Sequence, residues 1–183
     1  DAMENMKFNE EQFKKSIERT LSILKRLKAE QKTDALTKRA EELAKKQEEL
    51  EKKLQNANPN DPQKREDFSK EQERLEKEMK DLAEELAELE ELMKDIGEEM
   101  PMDEMQKAKE SLNQEQLQQE MQQSSSMCKS GNFSQARKSQ QKSAQSLKDF
   151  AKQMQKLKQK MENRMSKEAL RRMQKAMSDM LEI

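Results

Sequence analysis

The chain has 183 residues, of which 41% are charged and only 31% are hydrophobic, and it contains no His, Trp or Tyr. This composition supplies too little apolar surface for a thick globular core, and the lack of His excludes Ser–His and Cys–His catalysis and the usual helical metal motifs. Two Gly and three Pro, among many strong helix formers, favour long helices with narrow apolar seams over disorder.

Charge is divided unevenly along the chain. Residues 1–110 carry 23 basic and 31 acidic side chains, a net of −8, whereas residues 111–183 carry 14 and 7, a net of +7. Opposite charges predict that the two parts contact each other, within one molecule or between two. No apolar run is long enough to span a bilayer, so we expect membrane contact only through segments outside this chain.

The first predicted rod contains a change of phase. Residues 1–8 are expected to fray, and Asn9 is a candidate N-cap for a helix with Phe13, Ile17, Leu21, Leu24 and Gln31 inward. Near Thr33 the stripe shifts, and a new heptad places Leu36, Ala40, Leu43, Gln47, Leu50 and Leu54 inward. Because no Gly or Pro intervenes, one helix with a register skip is favoured over a second helix capped by Thr33.

The strongest helix breaker is the run Asn58-Pro59-Asn60-Asp61-Pro62, with Asp61 as N-cap of a second helix. One face of this helix repeats every 3.5 residues through Phe68, Gln72, Leu75, Met79, Leu82, Leu86, Leu89, Met93 and Ile96. Folding about a turn near residues 57–62 brings the two stripes together, so residues 9–96 are predicted to form an antiparallel hairpin. Gln47 and Gln72 would be buried in it, where they cost stability and can fix the register.

A second hairpin is predicted for residues 102–183, after a linker at 97–101 in which Gly97 caps one helix and Pro101 starts the next. Its turn is expected near residues 130–133, where Phe133-Ser134 can staple and cap the fourth helix. The third helix places Met105, Ala108, Leu112, Leu117 and Met121 inward. The fourth places Ala144, Leu147, Phe150, Ala151, Met154, Leu157, Met161 and Met165 inward and continues through Leu170, Met173, Met177 and Met180.

The predicted fold class is therefore all-α, with long helices in two successive antiparallel coiled-coil hairpins that form an elongated helical bundle. The first helix overshoots the second, and the fourth overshoots the third. These overhangs need cover, either from compact or staggered packing of the hairpins or from a dimer. The chain ends at Ile183 inside an apolar-periodic segment, so we expect it to be a truncated piece of a longer protein.

One candidate site is a basic stripe near the end of the chain. Its members follow at i, i+4 steps and are Lys148, Lys152, Lys156, Lys160 and Arg164. The stripe could bind an anionic partner, either an acidic lipid surface or nucleic acid. The alternative is a solvated flank, or a surface that docks onto the acidic first part. Since no aromatic residues interleave to stack bases, nucleic acid is not the expected partner.

Three further features of the sequence could carry chemistry. Twelve of the 15 Met lie from Met93 onward, which favours core filling, with a holdase-like adaptable surface as the alternative. The carboxylates Glu84, Glu85, Glu88, Glu90 and Glu91 are expected to form a solvated face paired with Lys. Cys128 is expected to be a packed residue, with an intermolecular disulfide or a sensor role as the alternative. We predict no catalytic, cofactor-binding or metal site, and no small-molecule substrate.

Residues 17–27, 99–105 and 177–183 resemble a group of bacterial envelope proteins of unknown function. These proteins have membrane-spanning helices near the N-terminus, followed by a long Gln-, Glu- and Lys-rich helical region. The resemblance implies a cell-envelope setting, on either side of the membrane, and supplies no catalytic positions. We therefore expect a structural or protein-interaction helical module of a larger bacterial protein, which binds protein partners or itself through helices.

Overall fold

The structure, a computed structural model, describes residues 2–97 and 100–181, with the side chains of residues 10–97, 100–164, 166, 167 and 171. These residues form α1 (Ala2–Gln55), α2 (Pro62–Ile96), α3 (Met102–Leu112), α4 (Gln114–Lys129) and α5 (Phe133–Leu181). No strand occurs within the described ranges. The predicted all-α fold class is confirmed.

The helices form four rods that run antiparallel to one another. α3 and α4 together make up one rod, because they follow one another along the same two neighbours, α2 and α5. α1 packs against α2 and α5, while α3 and α4 pack against α2 and α5. The direction of α2 relative to α1 is visible in their ion pairs, since Lys32 pairs with Glu88 at 2.5 Å and Lys46 with Glu78 at 2.6 Å. The two predicted hairpins therefore lie side by side as an up-down-up-down bundle.

The turn between α1 and α2 follows the predicted chemistry. The Asp61 carboxylate accepts the backbone N–H groups of Gln63 at 3.0 Å and Lys64 at 3.3 Å. Pro62 is the first residue of α2. Its lack of an N–H costs nothing there, because the N–H groups of the first turn have no acceptor within the helix. The cap and the proline together fix the point at which the chain reverses.

The tips of the two hairpins meet at one end of the bundle. Gly131 has a φ of +77°, and a Cβ at this position would lie 2.7 Å from the carbonyl oxygen of Pro59. Nearby, the Phe68 and Phe133 rings pack edge to face with centroids 5.5 Å apart. A residue without a side chain is needed at position 131 for both conformational and steric reasons.

The seams of the bundle body are those expected from the heptads. The predicted inward residues that are buried are Leu36, Ala40, Leu43, Gln47, Leu50, Leu54, Phe68, Gln72, Leu75, Met79, Leu82, Leu86, Leu89, Met93, Met105, Ala108, Leu112, Leu117, Met121, Ala144, Leu147, Phe150, Ala151, Met154, Leu157 and Met161. Ile96 is half-buried at the end of α2. The side chains of Met165, Leu170, Met173, Met177 and Met180 lie outside the described residues.

Two helix starts differ from expectation. α1 passes through Thr33 without a break, as predicted, but it begins at Ala2, so Asn9 is an interior residue and not the N-cap. Residues 2–8 belong to α1 and Asp1 lies outside the described residues, and the expected fraying of residues 1–8 stays a prediction. α5 begins at Phe133, so the predicted cap Ser134 lies inside its first turn and does not precede the helix. The Asn132 carbonyl accepts the N–H of Ala136 at 3.0 Å.

The third rod is broken into two helices, whereas the sequence pattern predicts one. Asn113 separates α3 from α4 and adopts a left-handed conformation with a φ of +37° and a ψ of 63°. Asn tolerates this region better than most residues do. The inward spacing from Leu112 to Leu117 is five residues, too long for one uninterrupted seam, and the break at Asn113 lets both residues face the core.

Candidate functional site

The exposed large apolar side chains of the described structure all lie near the start of α1. Their exposed fractions are 69% for Phe13, 52% for Ile17, 51% for Leu21, 59% for Ile23, 56% for Leu24 and 47% for Leu27. The prediction that Phe13, Ile17, Leu21 and Leu24 point inward is wrong, as it is for the exposed Gln31. We call Phe13, Ile17, Leu21, Leu24 and Leu27 the outer face of α1.

The outer face lies opposite the core-facing side of the same helix. At about 100° per residue, Leu24 lies within roughly 40° of Phe13 around the helix axis. Ala29 and Ala40, both fully buried, lie roughly 160–180° from Phe13. Because α1 is continuous, the phase change near Thr33 turns the apolar stripe away from the bundle instead of beginning a new helix.

Most of the outer face lies on the part of α1 that extends past the end of α2. Asp95, next to the last residue of α2, pairs with Lys25 at 2.6 Å, so the part of α1 before Lys25 extends past α2. Lys14 and Lys28 lie on one edge of the outer face, on either side of Leu21 along the helix. Residues 10–28 contain six basic and three acidic side chains, a net of +3. The site is therefore an apolar stripe within a basic segment.

All five members of the predicted anionic-partner stripe are exposed, and several of them have partners within the protein. Lys148 pairs with Glu48 of α1, Lys152 pairs with Asp149 of its own helix at 3.3 Å, and Lys160 lies 3.8 Å from Glu104 of α3. Arg164 donates a hydrogen bond to the Met100 carbonyl at 2.8 Å. Lys156 is exposed.

The spacing of the stripe explains why the partners of its members lie on different helices. Each i, i+4 step rotates a side chain by about 40° around the helix, so three steps carry the stripe from the α1 flank of α5 to its α3 flank. Pairs such as Arg137 with Glu51 at 2.6 Å and Lys158 with Asp34 at 2.8 Å join the basic and acidic parts of the chain in the same way. The two parts therefore meet within one molecule.

The acidic run of α2 is also used internally. Glu85 pairs with Arg39 and Glu88 with Lys32, both on α1, while Glu90 pairs with Lys109 on α3 at 2.5 Å. The hydrogen bonds from Lys32 and Lys109 lower the pKa of Glu88 and of Glu90. Glu91 pairs with Lys94 one turn away at 2.8 Å, within the solvated face that was expected.

A polar layer interrupts the apolar core near the hairpin tips. The Gln140 amide donates to the Gln72 side-chain oxygen at 3.1 Å, and the Ser124 hydroxyl donates to the same oxygen at 3.3 Å. Gln47 is fully buried, and neither polar atom of its side chain has a hydrogen-bond partner in the protein. A shifted register would break the two hydrogen bonds to Gln72 and surround it with apolar side chains, so these bonds favour the observed register.

Cys128 is buried within the bundle. Burial raises the pKa of its thiol to about 12, and the Ser124 hydrogen bond opposes this only in part. The thiolate is the reactive form of cysteine, and it is scarce at neutral pH when the pKa is this high. The geometry therefore agrees with a packed residue.

The fold and the described surfaces define an all-α bundle of four rods with an exposed apolar face on α1. Among the described residues, no three His, Cys, Asp or Glu side chains are placed to hold a metal ion, and no helix is long and apolar enough to cross a bilayer. Comparisons with known protein families, with characterised proteins and with solved structures found no match. The proposed function therefore rests on the geometry.

Proposed function

We propose that this chain is a non-catalytic protein-interaction module whose outer face of α1 docks a helix of another protein. The observation that supports the proposal is the outer face itself. It presents Phe13, Ile17, Leu21 and Leu24 to solvent on a helix whose other side is built into a folded bundle. A contiguous apolar stripe of this kind is typical of a binding surface.

The bundle supplies a rigid support for this face. Leu36, Leu43 and Leu50 are at most 2% exposed, so the body of α1 is fixed by its core contacts. A docking helix can approach from outside without displacing any of them, because the outer face points away from the core. In the setting implied by the resemblance, the module would belong to a larger bacterial envelope protein.

The two alternative functions receive less support from the contacts. Lys148 and Lys160 of the basic stripe lie against Glu48 and Glu104, which reduces the charge available to an anionic ligand. Of the methionines from Met93 onward whose side chains are described, Met93, Met100, Met105, Met121, Met154 and Met161 are buried and Met102 and Met127 partly buried. They fill the core and leave little Met surface for a holdase.

Site-specific photocrosslinking tests the proposal. A photoreactive phenylalanine at position 21, in the full-length protein in its own host, should give crosslinks to a helical segment of another protein. The matched control is position 42, since Glu42 is exposed on the same outward side of α1 but lies in a polar stretch. Equal crosslinking at both positions, or none at position 21, would refute docking through the outer face.

A further inference from the structure

The outer face has the spacing of a helix-pairing seam. Ile17 and Leu24 are seven residues apart, and Phe13, Thr20 and Leu27 repeat at the same interval between them. Alternating steps of three and four residues fit the side-chain rows of a second α-helix, whereas an extended strand presents side chains every second residue. The shape of the site thus selects a helical occupant.

The positive charge beside the outer face favours a partner helix with acidic residues on its flank. Residues 10–28 have a net charge of +3, and Lys14 and Lys28 lie beside the apolar stripe, where the flank of a partner helix would run. Both side chains are exposed. Acidic residues on the partner would face these lysines, whereas basic residues would meet like charge.

The interface between α1 and α2 shows the same chemistry within the chain. Basic residues of α1 recur every seven residues as Lys25, Lys32, Arg39 and Lys46, and each pairs with an acidic residue of α2. α2 is a helix with an apolar seam and an excess of acidic side chains. It is the kind of helix that a basic, apolar stripe on α1 accepts in this fold.

A second copy of the chain matches the outer face less well. It would bring its own residues 10–28, which also carry a net of +3, against the first set. In an antiparallel pair centred on Leu21, Lys14 of one copy would lie opposite Lys28 of the other. Like charges at these positions oppose self-association through the outer face.

We propose that the occupant of the outer face is an amphipathic α-helix with acidic flanks, contributed by a different protein. This inference rests on the proposed docking function and adds the charge of the partner. The apolar row of the partner covers Ile17, Leu21 and Leu24, and its acidic flank faces Lys14 and Lys28. The partner helix thus repeats on the outside of α1 the pairing that α2 makes on the inside.

Two designed helical peptides of about three heptads test the inference. Both have Leu at the seam positions, and they differ only at the flanking positions, which are Glu in one peptide and Lys in the other. Binding to the full chain is measured by fluorescence anisotropy at low and high salt. The Glu peptide should bind at least about tenfold more tightly at low salt, and the difference should shrink as salt screens the charges.

Variants connect the effect to the site. Lys14→Glu with Lys28→Glu should reverse the preference in favour of the Lys peptide, whereas Lys45→Glu with Lys53→Glu, at exposed positions of the same helix, should leave it unchanged. Leu21→Asp with Leu24→Asp should abolish binding of both peptides. Thermal melting of each variant shows whether the bundle is retained.

The outcomes separate the two proposals. Equal binding of both peptides, lost in the Leu21→Asp Leu24→Asp variant, would overturn the acidic partner but support docking. Absence of binding by either peptide would overturn both. A doubled mass in light scattering that returns to the monomer value in the leucine variant would replace the partner with a second copy. Leucine-dependent binding to phosphatidylglycerol vesicles, without peptide binding, would replace it with a membrane.

Discussion

Leu82 and Leu21 carry the same side chain in opposite environments, and substituting each by Asp tests the assigned faces. Leu82 is fully buried in the α2 seam, whereas Leu21 is 51% exposed on the outer face of α1. Leu82→Asp removes about 1.5–3 kcal/mol of apolar burial. It also places a carboxyl group where no water reaches, which costs roughly a further 2–7 kcal/mol.

The combined loss is comparable to the whole stability of a typical domain, about 5–15 kcal/mol. For a chain of this size, each kcal/mol shifts the Tm by about 2–4 °C, so Leu82→Asp should lower the Tm by roughly 10 °C or more, or prevent folding. Leu21→Asp should change the free energy of unfolding by less than about 1 kcal/mol. The new carboxylate would stay in contact with water, so the main effect is a lower helix propensity.

Circular dichroism at 222 nm, followed through thermal and urea unfolding, measures both effects. Leu82→Ala is a milder companion, with an expected loss of about 2–5 kcal/mol and no new charge. An unchanged melting curve for Leu82→Asp, or an equal loss in Leu21→Asp, would show that the two faces have been assigned wrongly. The proposed docking site would then lose its basis as well.

The remaining predictions concern pH, a turn and a thiol. The hydrogen bond from Lys158 lowers the pKa of Asp34 from 3.8 to about 2, so the stabilisation is present above pH 4 and is lost as the pH falls towards 2. Asp34→Asn should flatten this part of a urea-unfolding series between pH 5 and pH 2. Gly131→Ala should lower stability more than Gly97→Ala, because only position 131 is sterically closed, and equal Tm losses would contradict this. Native Cys128 should react with a thiol reagent at pH 8 only as fast as the bundle opens, and rapid labelling without unfolding would show an accessible thiol.

Local sequence signals predicted some elements well and others poorly. The Asp61-Pro62 start of α2 and the Gly97 cap could be predicted because side-chain and backbone preferences act over a few residues. The break at Asn113 was missed, although the five-residue step from Leu112 to Leu117 was a signal for it. The true start of α1 was missed because Asn9 is also compatible with a helix interior.

The outer face shows the limit of periodicity most clearly. The sequence contains an apolar stripe from Phe13 to Leu24 and a phase change near Thr33, and both are present in the structure. Periodicity states which residues share a face, but not whether that face meets another helix. Periodicity alone therefore assigns the stripe to the core, and only the positions of the neighbouring rods show that it is exposed.

The sequence by itself determined that this protein is a set of long amphipathic helices folded into two hairpins, because heptad spacing and strong breakers act locally. Tertiary structure decided that the hairpins lie side by side, that the basic and acidic parts neutralise each other within one molecule, and that one stripe of α1 stays uncovered. These properties depend on which side of each helix the other rods pack against. Such contacts form between segments far apart in sequence, and no local pattern encodes them.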